Sequence, residues 1–403
     1  MQENKKHNIF IVIFSLLFAL LAVPSHFKAY PLLLGFLFVL KQKPKRFDFR
    51  LFFTNSLLYW GLLLSLLYSG NQAYGKSFAL ETQILLLALP LFFALIPDEL
   101  GKKIIQKKNV FFWVYILSVF AYALSPFRWF FAPYHYDIKK LLFHYPGILN
   151  SPDYGLFQIH PVYMAAAVGW GFILGIYLLI QSPQKSGKFP LILIEIYFAI
   201  ILFHLAKMGA LIALFISILF LIYLYKRKIF YYIIPIVITG IALLFLVPNT
   251  QKRIKEVLHI ENQKVLQKTS SGKHLRIFRA SVKVFKKSPF FGYGLGSHKD
   301  RLLEEYQLEN ENDLYEQQLS THNQYMSFLL IGGIFLLLIY LLMIVYSARL
   351  AWQTKNYIMW IFLLFFSLVM LFENYLEREA GVVVFAWFFN YFNYLSFYRK
   401  KHK

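Results

Sequence analysis

Long hydrophobic runs, separated by short polar stretches, extend along almost the whole chain. A helix that crosses a bilayer needs about 20 mostly apolar residues. Twelve runs approach this length, so the pattern predicts an all-α polytopic membrane protein with about twelve transmembrane helices. The runs are residues 8–24, 29–41, 50–69, 80–97, 109–125, 161–181, 189–206, 208–225, 229–247, 323–346, 356–373 and 382–398. The second run is short, and only Lys207 and Gly209 interrupt the pair at 189–225.

A long polar segment between Pro248 and His322 interrupts this pattern. Apolar residues recur in it at helical spacing, with Arg and Lys on the other faces, and predict a basic amphipathic helix that suits the headgroup level of a bilayer. The residues at this spacing are Leu275, Phe278, Ser281-Val282 and Phe285. Pro289 ends this helix, and a glycine-rich turn follows. An acidic helix is then predicted over Lys299–Gln318, either paired with the basic helix or solvated.

Composition supports a membrane protein. Hydrophobic residues make up 58% of the chain and charged residues 15%, whereas a soluble domain is about a quarter charged. Lys and Arg number 42 against 20 Asp and Glu. In a membrane protein this excess is typical of cytoplasmic anchoring charges and a basic external surface, so no nucleic-acid partner is predicted. The chain has no Cys, which excludes disulfides and thiolate metal sites.

The basic residues also predict the orientation. Most Lys and Arg residues of the short loops fall on one side if the N-terminus is cytoplasmic. Met1–Pro24 lacks a small-residue cleavage site and is predicted to be an uncleaved first span. Both termini are then cytoplasmic. The chain divides into helices one to nine (1–247, with an external loop at 126–160), a large external loop (248–322), and helices ten to twelve with a cytoplasmic tail (323–403).

The large external loop carries the most specific motifs. Arg276 is followed by Pro289-Phe-Phe-Gly-Tyr-Gly-Leu-Gly-Ser-His298, then by Thr321-His322-Asn323-Gln-Tyr-Met and a Gly-Gly pair in the next span. With these motifs the chain resembles the O-antigen ligase and O-antigen polymerase superfamily, from about Pro161 to Gly381. The resemblance does not separate ligase from polymerase, and it also leaves a smaller branch of protein-glycosylating relatives.

This resemblance implies a metal-independent membrane glycosyltransferase without a nucleotide cofactor. Such an enzyme transfers a glycan from a polyprenyl-diphosphate carrier to an acceptor hydroxyl, on a lipid A-core sugar for a ligase or on a second lipid-linked glycan for a polymerase. The reaction takes place at the periplasmic face of the inner membrane of a Gram-negative bacterium. Membrane lipids are the remaining partners.

His322 is the candidate general base. It lies at the outer end of a span, where a hydroxyl from the aqueous side and a lipid-linked donor can meet, and an imidazole near its ordinary pKa can take the proton. The resemblance matches it to the catalytic His of the family. The alternative is an interfacial His beside the helix start that Asn323 helps to cap.

Cations are the candidate ligands for the donor diphosphate, because a guanidinium grips phosphate oxygens well. The resemblance matches Arg276 to the Arg of the family's large loop, and Arg279 lies one turn further on. Lys207 lies between two apolar runs and is therefore expected close to the hydrocarbon of the bilayer. A charge there is costly and commonly functional. The family usually has Ser-Arg-Gly there, whereas this chain has Ala-Lys-Met-Gly. The alternatives are a solvated helix face for Arg276 and Arg279, and an interfacial Lys in a short loop for Lys207.

Three further residues are possible parts of the substrate site. His160 precedes Pro161 at the start of a span, Asn323 follows His322, and Glu377 lies in the last outer loop, where it could orient His322 or bind a sugar. A simple helix start, a helix cap and surface charge pairing are the respective alternatives. Glu195 lies inside a span and either packs against a partner or lines a cavity.

Two other site types are not supported by the spacing. His135, His144 and His160 fit no standard metal-ligand pattern, so no metal is predicted. Gly292-Tyr-Gly-Leu-Gly296 lacks the strand-turn-helix context of a nucleotide site and is predicted to shape a turn. A transporter or lipid flippase remains the alternative of a different class, although such proteins usually place charges on broken helices near the bilayer midplane.

Overall fold

The computed structural model describes residues 2–24, 27–42, 44, 47–130, 138–181, 188–232, 234 and 270–402. Within these ranges the chain is helical and has no β-strand, which confirms the all-α class. The helices are α1 (Gln2–Phe18), α2 (Ala29–Lys41), α3 (Phe49–Ser65), α4 (Gln72–Glu81), α5 (Leu85–Ala94), α6 (Asp98–Gln106), α7 (Lys108–Leu124), α8 (Ile138–Asn150), α9 (Pro161–Gln181), α10 (Lys188–Leu205), α11 (Met208–Tyr225), α12 (Ser270–Lys287), α13 (His298–Leu308), α14 (Asn312–Glu316), α15 (Gln324–Gln353), α16 (Tyr357–Val369) and α17 (Glu379–Lys401).

The membrane-spanning character of the predicted runs is confirmed in part. In the described ranges, 8 helices are long and apolar enough to cross a membrane. Three shorter apolar helices, His7–Phe18, Ala29–Lys41 and Tyr357–Val369, coincide with three more of the predicted spans. The predicted span 229–247 lies mostly outside the described residues. The total of twelve spans therefore stays a prediction.

One predicted boundary changes and another is confirmed. The run 80–97 was expected to form one span, but α4 and α5 together cover Gln72–Ala94 with an interruption between them. Because the first residues of α4 are mostly polar, a search for apolar runs misses the start of this helix. The expected break at Lys207 is present: α10 ends at Leu205, and Ala206 turns the chain with a φ of 47° before α11 begins.

Helices α9 and α17 form the centre of the bundle. Their apolar stretches are 78% and 89% buried, against 28–44% for the other candidate spans. Small residues let neighbouring helices approach α9 closely, because Gly169 faces Phe365 and Gly171 faces Phe198. Tyr163, in the first turn of α9, lies against Gly381 in the first turn of α17. The two central helices therefore begin at the same end of the molecule.

The glycine-rich turn docks into a break in α15. Gly332 and Gly333 have non-helical backbone angles, so the helix loses part of its own hydrogen bonding. Backbone groups of the turn replace these bonds, as non-helical backbone at membrane depth requires. The new bonds join Tyr293 N to Leu330 O (2.8 Å), Gly294 N to Ile331 O (2.8 Å) and Ile334 N to Pro289 O (2.9 Å). The turn is thus a packing element that ties the loop to α15.

The helices α12, α13 and α14 pack on each other and form what we call the loop lobe. Ile277, Ala280 and Val284 of α12 are buried against Leu302 and Tyr306 of α13. Of the residues that the sequence analysis singled out, Phe285 packs against the same cluster, whereas Phe278 is 47% exposed. The face of α12 that holds the lobe together thus includes only part of the predicted apolar set.

The acidic segment forms two helices where one was predicted. Helix α13 ends at Leu308 and α14 begins at Asn312, because Asn310 between them has a φ of 56° that no helix continues. Of the two alternatives for its carboxylates, the structure shows pairing with α12. The pairs are Arg276 with Glu311 and Asp313, Lys283 with Glu309, and Lys287 with Glu305.

The N-terminal and C-terminal helices meet at the opposite end of the bundle. His7 and Lys401 line one cavity of about 700 Å³ together with Asp48 and Asp98. The Lys401 ammonium lies 2.6 Å from the Asp98 carboxylate. Since α17 runs from Glu379 to Lys401, this cavity and the start of α17 lie at opposite ends of the molecule.

Candidate active site

Four helices begin at one end of the bundle just after a basic residue. His160 precedes α9, Lys207 precedes α11, His322 and its neighbour Asn323 precede α15, and Arg378 precedes α17. We call His160, Lys207, His322 and Arg378 the helix-start cluster. A helix N-terminus carries partial positive charge, which adds to the charge of these side chains. The cluster therefore makes this end of the bundle suited to an anion.

The members of the helix-start cluster are close enough to interact electrostatically. Burial lowers the pKa of His160, and the charges of Lys207, Arg378 and His322 lower it further, while Glu373 opposes them. The imidazole of His160 is therefore biased towards its neutral form. The sequence placed these residues in four separate loops, and the fold brings them to one place.

Asn374 fixes the backbone on both sides of His322. Its Oδ1 accepts a hydrogen bond from the Thr321 hydroxyl at 2.8 Å and another from the Asn323 N–H at 2.6 Å. The Asn323 side chain caps α15 by accepting from two N–H groups of its first turn, at 2.9 and 3.0 Å. His322 has a φ of 46°, which is strained for any residue other than glycine.

A carboxylate faces the imidazole of His322. His322 Nδ1 lies 3.6 Å from Glu373 Oε2, and the two side chains are 28% and 13% exposed. The Tyr163 hydroxyl lies 3.5 Å from the same carboxylate and 3.3 Å from the Asn374 carbonyl oxygen. With Nδ1 turned to the carboxylate, Nε2 is the nitrogen that can accept a proton. A histidine oriented by an acidic residue is the arrangement that general-base catalysis uses.

A second histidine approaches His322 from the loop lobe. The rings of His274, on α12, and His322 have centroids 5.5 Å apart and meet at 78°. Burial lowers the pKa of His274, and the charges of His322 and Lys273 lower it further against the opposing effect of Glu373. This contact places the start of α12 beside the candidate base.

The site opens into a cavity of about 780 Å³, which is within the usual range for a ligand site. His160, His322, Glu373, Glu377 and Arg378 line one part of it. Other lining side chains come from elsewhere in the sequence and include Lys28, Tyr74, Phe78, Lys299 and Gln317. The cavity therefore combines the candidate base with cations, carboxylates and aromatic rings.

Arg276 does not line this cavity. Its guanidinium donates to both carboxylate oxygens of Asp313 at 2.8 Å and also to Glu311, and its side chain is 9% exposed. The hydrogen bond that Arg276 donates to Asp313 raises the pKa of Arg276, despite the opposing effect of burial. Arg279 is exposed on α12. Among the predicted site residues, the structure thus brings His160, His322 and Glu377 together in the lining of the cavity. It places Lys207 near His160 but outside this lining, and it keeps Arg276 in ion pairs within the loop lobe.

Glu377 joins three elements beside the cavity. Its carboxylate accepts from the Ser327 hydroxyl of α15 and lies 3.8 Å from His298 Nε2 of α13. Burial opposes the charge of Glu377, but hydrogen bonds from His298, Ser327 and Asn374 outweigh it and hold the pKa below its usual value. Glu377 lines the same cavity as His322, while Glu373 is the carboxylate that contacts the imidazole.

The remaining predicted residues have simpler surroundings. Glu195 is buried on α10 against Gly175 of α9, so it packs against a helix. His144 is exposed on α8, and His135 lies outside the described residues. Within the ranges that the structure describes, no group of three or more His, Asp or Glu side chains is placed to hold a metal ion.

The sequence analysis gave no site role to Glu373, Asn374, His274, Arg378 or Lys299. A signal was present for Glu373 and Asn374, because they are polar residues directly after an apolar run, as His322 is directly before one. His274 and Lys299 had no such signal, since they stand among many other polar residues of the loop. Only the fold shows which of these reach the cavity.

A comparison with known families bears on this arrangement. Residues 193–341 match a family described as O-antigen ligase. The matched part contains Lys207, Arg276, Arg279 and the Thr321-His322-Asn323 motif, and it ends before Glu373. This match confirms the resemblance to an O-antigen ligase-like superfamily. No protein with curated annotation matches the chain.

Proposed function

We propose that this O-antigen ligase-like membrane enzyme transfers a glycan from a polyprenyl-diphosphate carrier to a hydroxyl group of a lipid A-core sugar. The reaction is metal-independent and inverts the anomeric centre. A polymerase, in which the acceptor is a second lipid-linked glycan, uses the same chemistry and is the alternative. The observation that carries the proposal is the His322–Glu373 pair, which opens into a large cavity beside the helix-start cluster.

The proposed step needs one base and one site for a leaving anion. His322 Nε2 takes the proton of the acceptor hydroxyl, whose oxygen forms a bond to the anomeric carbon of the donor. The bond between that carbon and the diphosphate oxygen breaks, and its electron pair leaves with the polyprenyl diphosphate. Glu373 keeps Nδ1 of His322 oriented and stabilises the imidazolium that forms.

The departing diphosphate requires fixed positive charge. Lys207 is the first candidate, because it stands at the start of α11, acts electrostatically on His160 and forms no ion pair in the parts of the chain that the structure describes. The starts of α9 and α11 add their dipoles. Arg276 and Arg279 rank after Lys207. Arg276 would first have to release Asp313, which is the more exposed of its two carboxylate partners at 47%.

The proposal includes a location. The enzyme lies in the inner membrane of a Gram-negative bacterium, with both termini in the cytoplasm and the cavity around His322 facing the periplasm. Two features support this orientation. His7 and Lys401 lie together at the end remote from the start of α17, and most basic residues of the short loops lie on that same side.

The test is expression of wild type and His322→Ala in a strain that lacks its own ligase but makes lipid-linked glycan. Wild type should restore the ladder of glycosylated lipopolysaccharide on a gel, and His322→Ala should lower transfer by about a thousandfold or more. His402→Ala is the matched control, since His402 lies at the opposite end of the molecule and is exposed. Equal membrane levels of all three proteins must be shown by immunoblot.

The outcomes separate the alternatives. A restored ladder that depends on His322 supports the ligase. Longer lipid-linked glycan without a ladder supports the polymerase. Full activity of His322→Ala contradicts the assignment of the base. If wild type changes neither product but moves lipid-linked glycan across the membrane, the transporter is the correct class.

A further inference from the structure

The cavity has a second lining surface that the proposed chemistry does not use. Tyr74, Phe78 and Thr82 stand four residues apart and share one face at and just beyond α4, and all three line the cavity. The rings of Tyr74 and Phe78 are nearly parallel, with centroids 6.1 Å apart and an angle of 22°. Tyr74 is 46% exposed. Together they present an aromatic surface to the cavity, which we call the α4 platform.

The α4 platform is held in place by the glycine-rich turn. The Asn71 N–H donates to the Ser297 hydroxyl at 3.0 Å, and the Asn71 side chain caps α4 by accepting from the Tyr74 N–H at 3.1 Å. Gly75 packs directly on this turn, since a Cβ at that position would lie 3.0 Å from Gly296 N. The platform is therefore fixed to the segment that leads into α13.

The same turn delivers a cation to the cavity. Lys299 follows His298, which is anchored by its contact with Glu377, and Lys299 lines the cavity with the α4 platform. Neither Lys299 nor Arg378 forms an ion pair with any residue that the structure describes. The third lining cation, Lys28, is paired with Glu379 at 3.1 Å. Two cations without partners thus lie beside two stacked rings.

The charged groups around the α4 platform differ from those around His160. Glu377, Arg378 and Asp300 act electrostatically on the Tyr74 hydroxyl, whereas Lys207, Arg378, His322 and Glu373 act on His160. Arg378 is common to both sets, and Lys207 acts only on His160. Arg378 therefore lies near both the α4 platform and His160, whereas Lys207 lies near His160 and is not among the residues that line the cavity.

We propose that the α4 platform and Lys299 form the acceptor subsite and that they select an acceptor glycan with an anionic substituent, a phosphate or a carboxylate. The apolar face of a sugar ring lies on the aromatic surface, while Lys299 and Arg378 hold the anionic group. The donor diphosphate lies on the side of His160 and Lys207, so the acceptor hydroxyl reaches His322 from the side of the α4 platform. This inference rests on the proposed function, because it assumes that the cavity holds two glycan substrates.

The test uses the full chain in lipid nanodiscs with lipid-linked glycan as donor. Three acceptors are compared: lipid A-core with its core phosphates, the same material after their removal, and a core that carries carboxylated sugars. Wild type should favour an anionic acceptor by about tenfold in kcat/KM, mainly through KM. Lys299→Ala should lose most of this preference, because kcat/KM should fall more for the anionic acceptors than for the neutral one. Tyr74→Ala with Phe78→Ala should raise KM for all three.

The matched control is Lys76→Ala, because Lys76 lies on α4, is exposed and does not line the cavity. It should behave as wild type. A preference for only one of the two anionic acceptors identifies the substituent. If Lys299→Ala keeps the full preference, or lowers kcat/KM equally for neutral and anionic acceptors, the acceptor subsite is wrong even though the transferase is real.

A binding measurement separates this inference from the proposed function. His322→Ala in nanodiscs is titrated with the soluble phosphorylated core oligosaccharide, with and without Lys299→Ala. Affinity that falls about tenfold on loss of Lys299 supports the subsite even where no transfer occurs. No binding, or binding that does not depend on Lys299, overturns the subsite. Absence of transfer by wild type, in contrast, counts against the proposed function.

Discussion

The loop lobe and the helix-start cluster are both rich in basic residues, but their charges are used differently. In the loop lobe Arg276, Lys283 and Lys287 each face a carboxylate of the following acidic helices. In the helix-start cluster Lys207 and Arg378 have no acidic partner among the described residues, and helix N-termini add to their charge. A basic residue that is already neutralised serves structure, whereas one without a partner is available for an anionic substrate.

Among the variants that test this comparison, Lys207→Ala should have the largest effect, which is a loss of catalysis. Lys207→Ala should lower kcat/KM for lipid-linked donor about a hundredfold, because it removes a fixed charge aimed at the leaving diphosphate. Lys207→Arg keeps the charge and should retain most of the activity. The measurement is transfer in nanodiscs at equal protein content. Wild-type kinetics of Lys207→Ala would contradict the role given to the cluster.

Glu373→Gln should have the next largest effect. The variant keeps the shape of the side chain but cannot stabilise an imidazolium at His322, so kcat should fall about 10- to 100-fold. Glu379→Gln is the matched control, since Glu379 lines the same cavity but pairs with Lys28. A similar loss in both variants would mean that cavity charge in general, and not the contact with His322, is responsible.

Arg276→Ala should act mainly on stability. It leaves Glu311 and Asp313 without their partner, and the expected loss is about 2 kcal/mol in the free energy of unfolding, below the value for a fully buried pair because Asp313 is half-exposed. Thermal unfolding in detergent measures it. The triple variant Arg276→Met, Glu311→Gln, Asp313→Asn should recover stability. If the triple variant recovers stability but not transfer, Arg276 also binds the donor. The loop lobe would then share the anion-binding role that is given to the helix-start cluster.

The smallest expected effect is a pH dependence of stability. It arises from one histidine in each region, His160 in the helix-start cluster and His274 in the loop lobe. Burial lowers the pKa of both in the folded protein, so below the unfolded value of about 6.5 the unfolded chain binds more protons. Stability should therefore fall as the pH decreases through about 6.5 and level off below the folded pKa values. Unfolding temperatures at pH 5.5 and 7.5 measure this, and His160→Gln with His274→Gln should reduce the difference. If the double variant shows the same difference in unfolding temperature as wild type, other titratable groups cause the pH dependence.

Span positions and the location of His322 could be predicted from the sequence because they depend on local patterns. The length of an apolar run sets a helix in a bilayer, and a polar motif at its edge marks the helix start. The break at Lys207 followed in the same way from a charge between two runs. These features need no knowledge of which distant residues meet.

The pairing of charges could not be predicted, because it depends on how separate helices pack. The sequence left open whether the acidic helix pairs with the basic one, and it could not show that Glu311 and Asp313 occupy the guanidinium of Arg276. It also could not show that Ile277, Ala280 and Val284 form the face of α12 that packs within the loop lobe. The contact of Glu373 with His322 joins loops on either side of α15 and α16 and follows only from the fold.

The break in α15 also sets the height of the reaction above the membrane. The stretch from Ile334 to Gln353 rises about 30 Å at 1.5 Å per residue, which matches a hydrocarbon thickness of about 30 Å. The turns from Gln324 to Ile331 are then not needed to cross the hydrocarbon and can stand in the headgroup layer. In the proposed reaction, their length of about 12 Å would carry His322 to the depth at which the lipid anchor of the donor ends and its diphosphate begins.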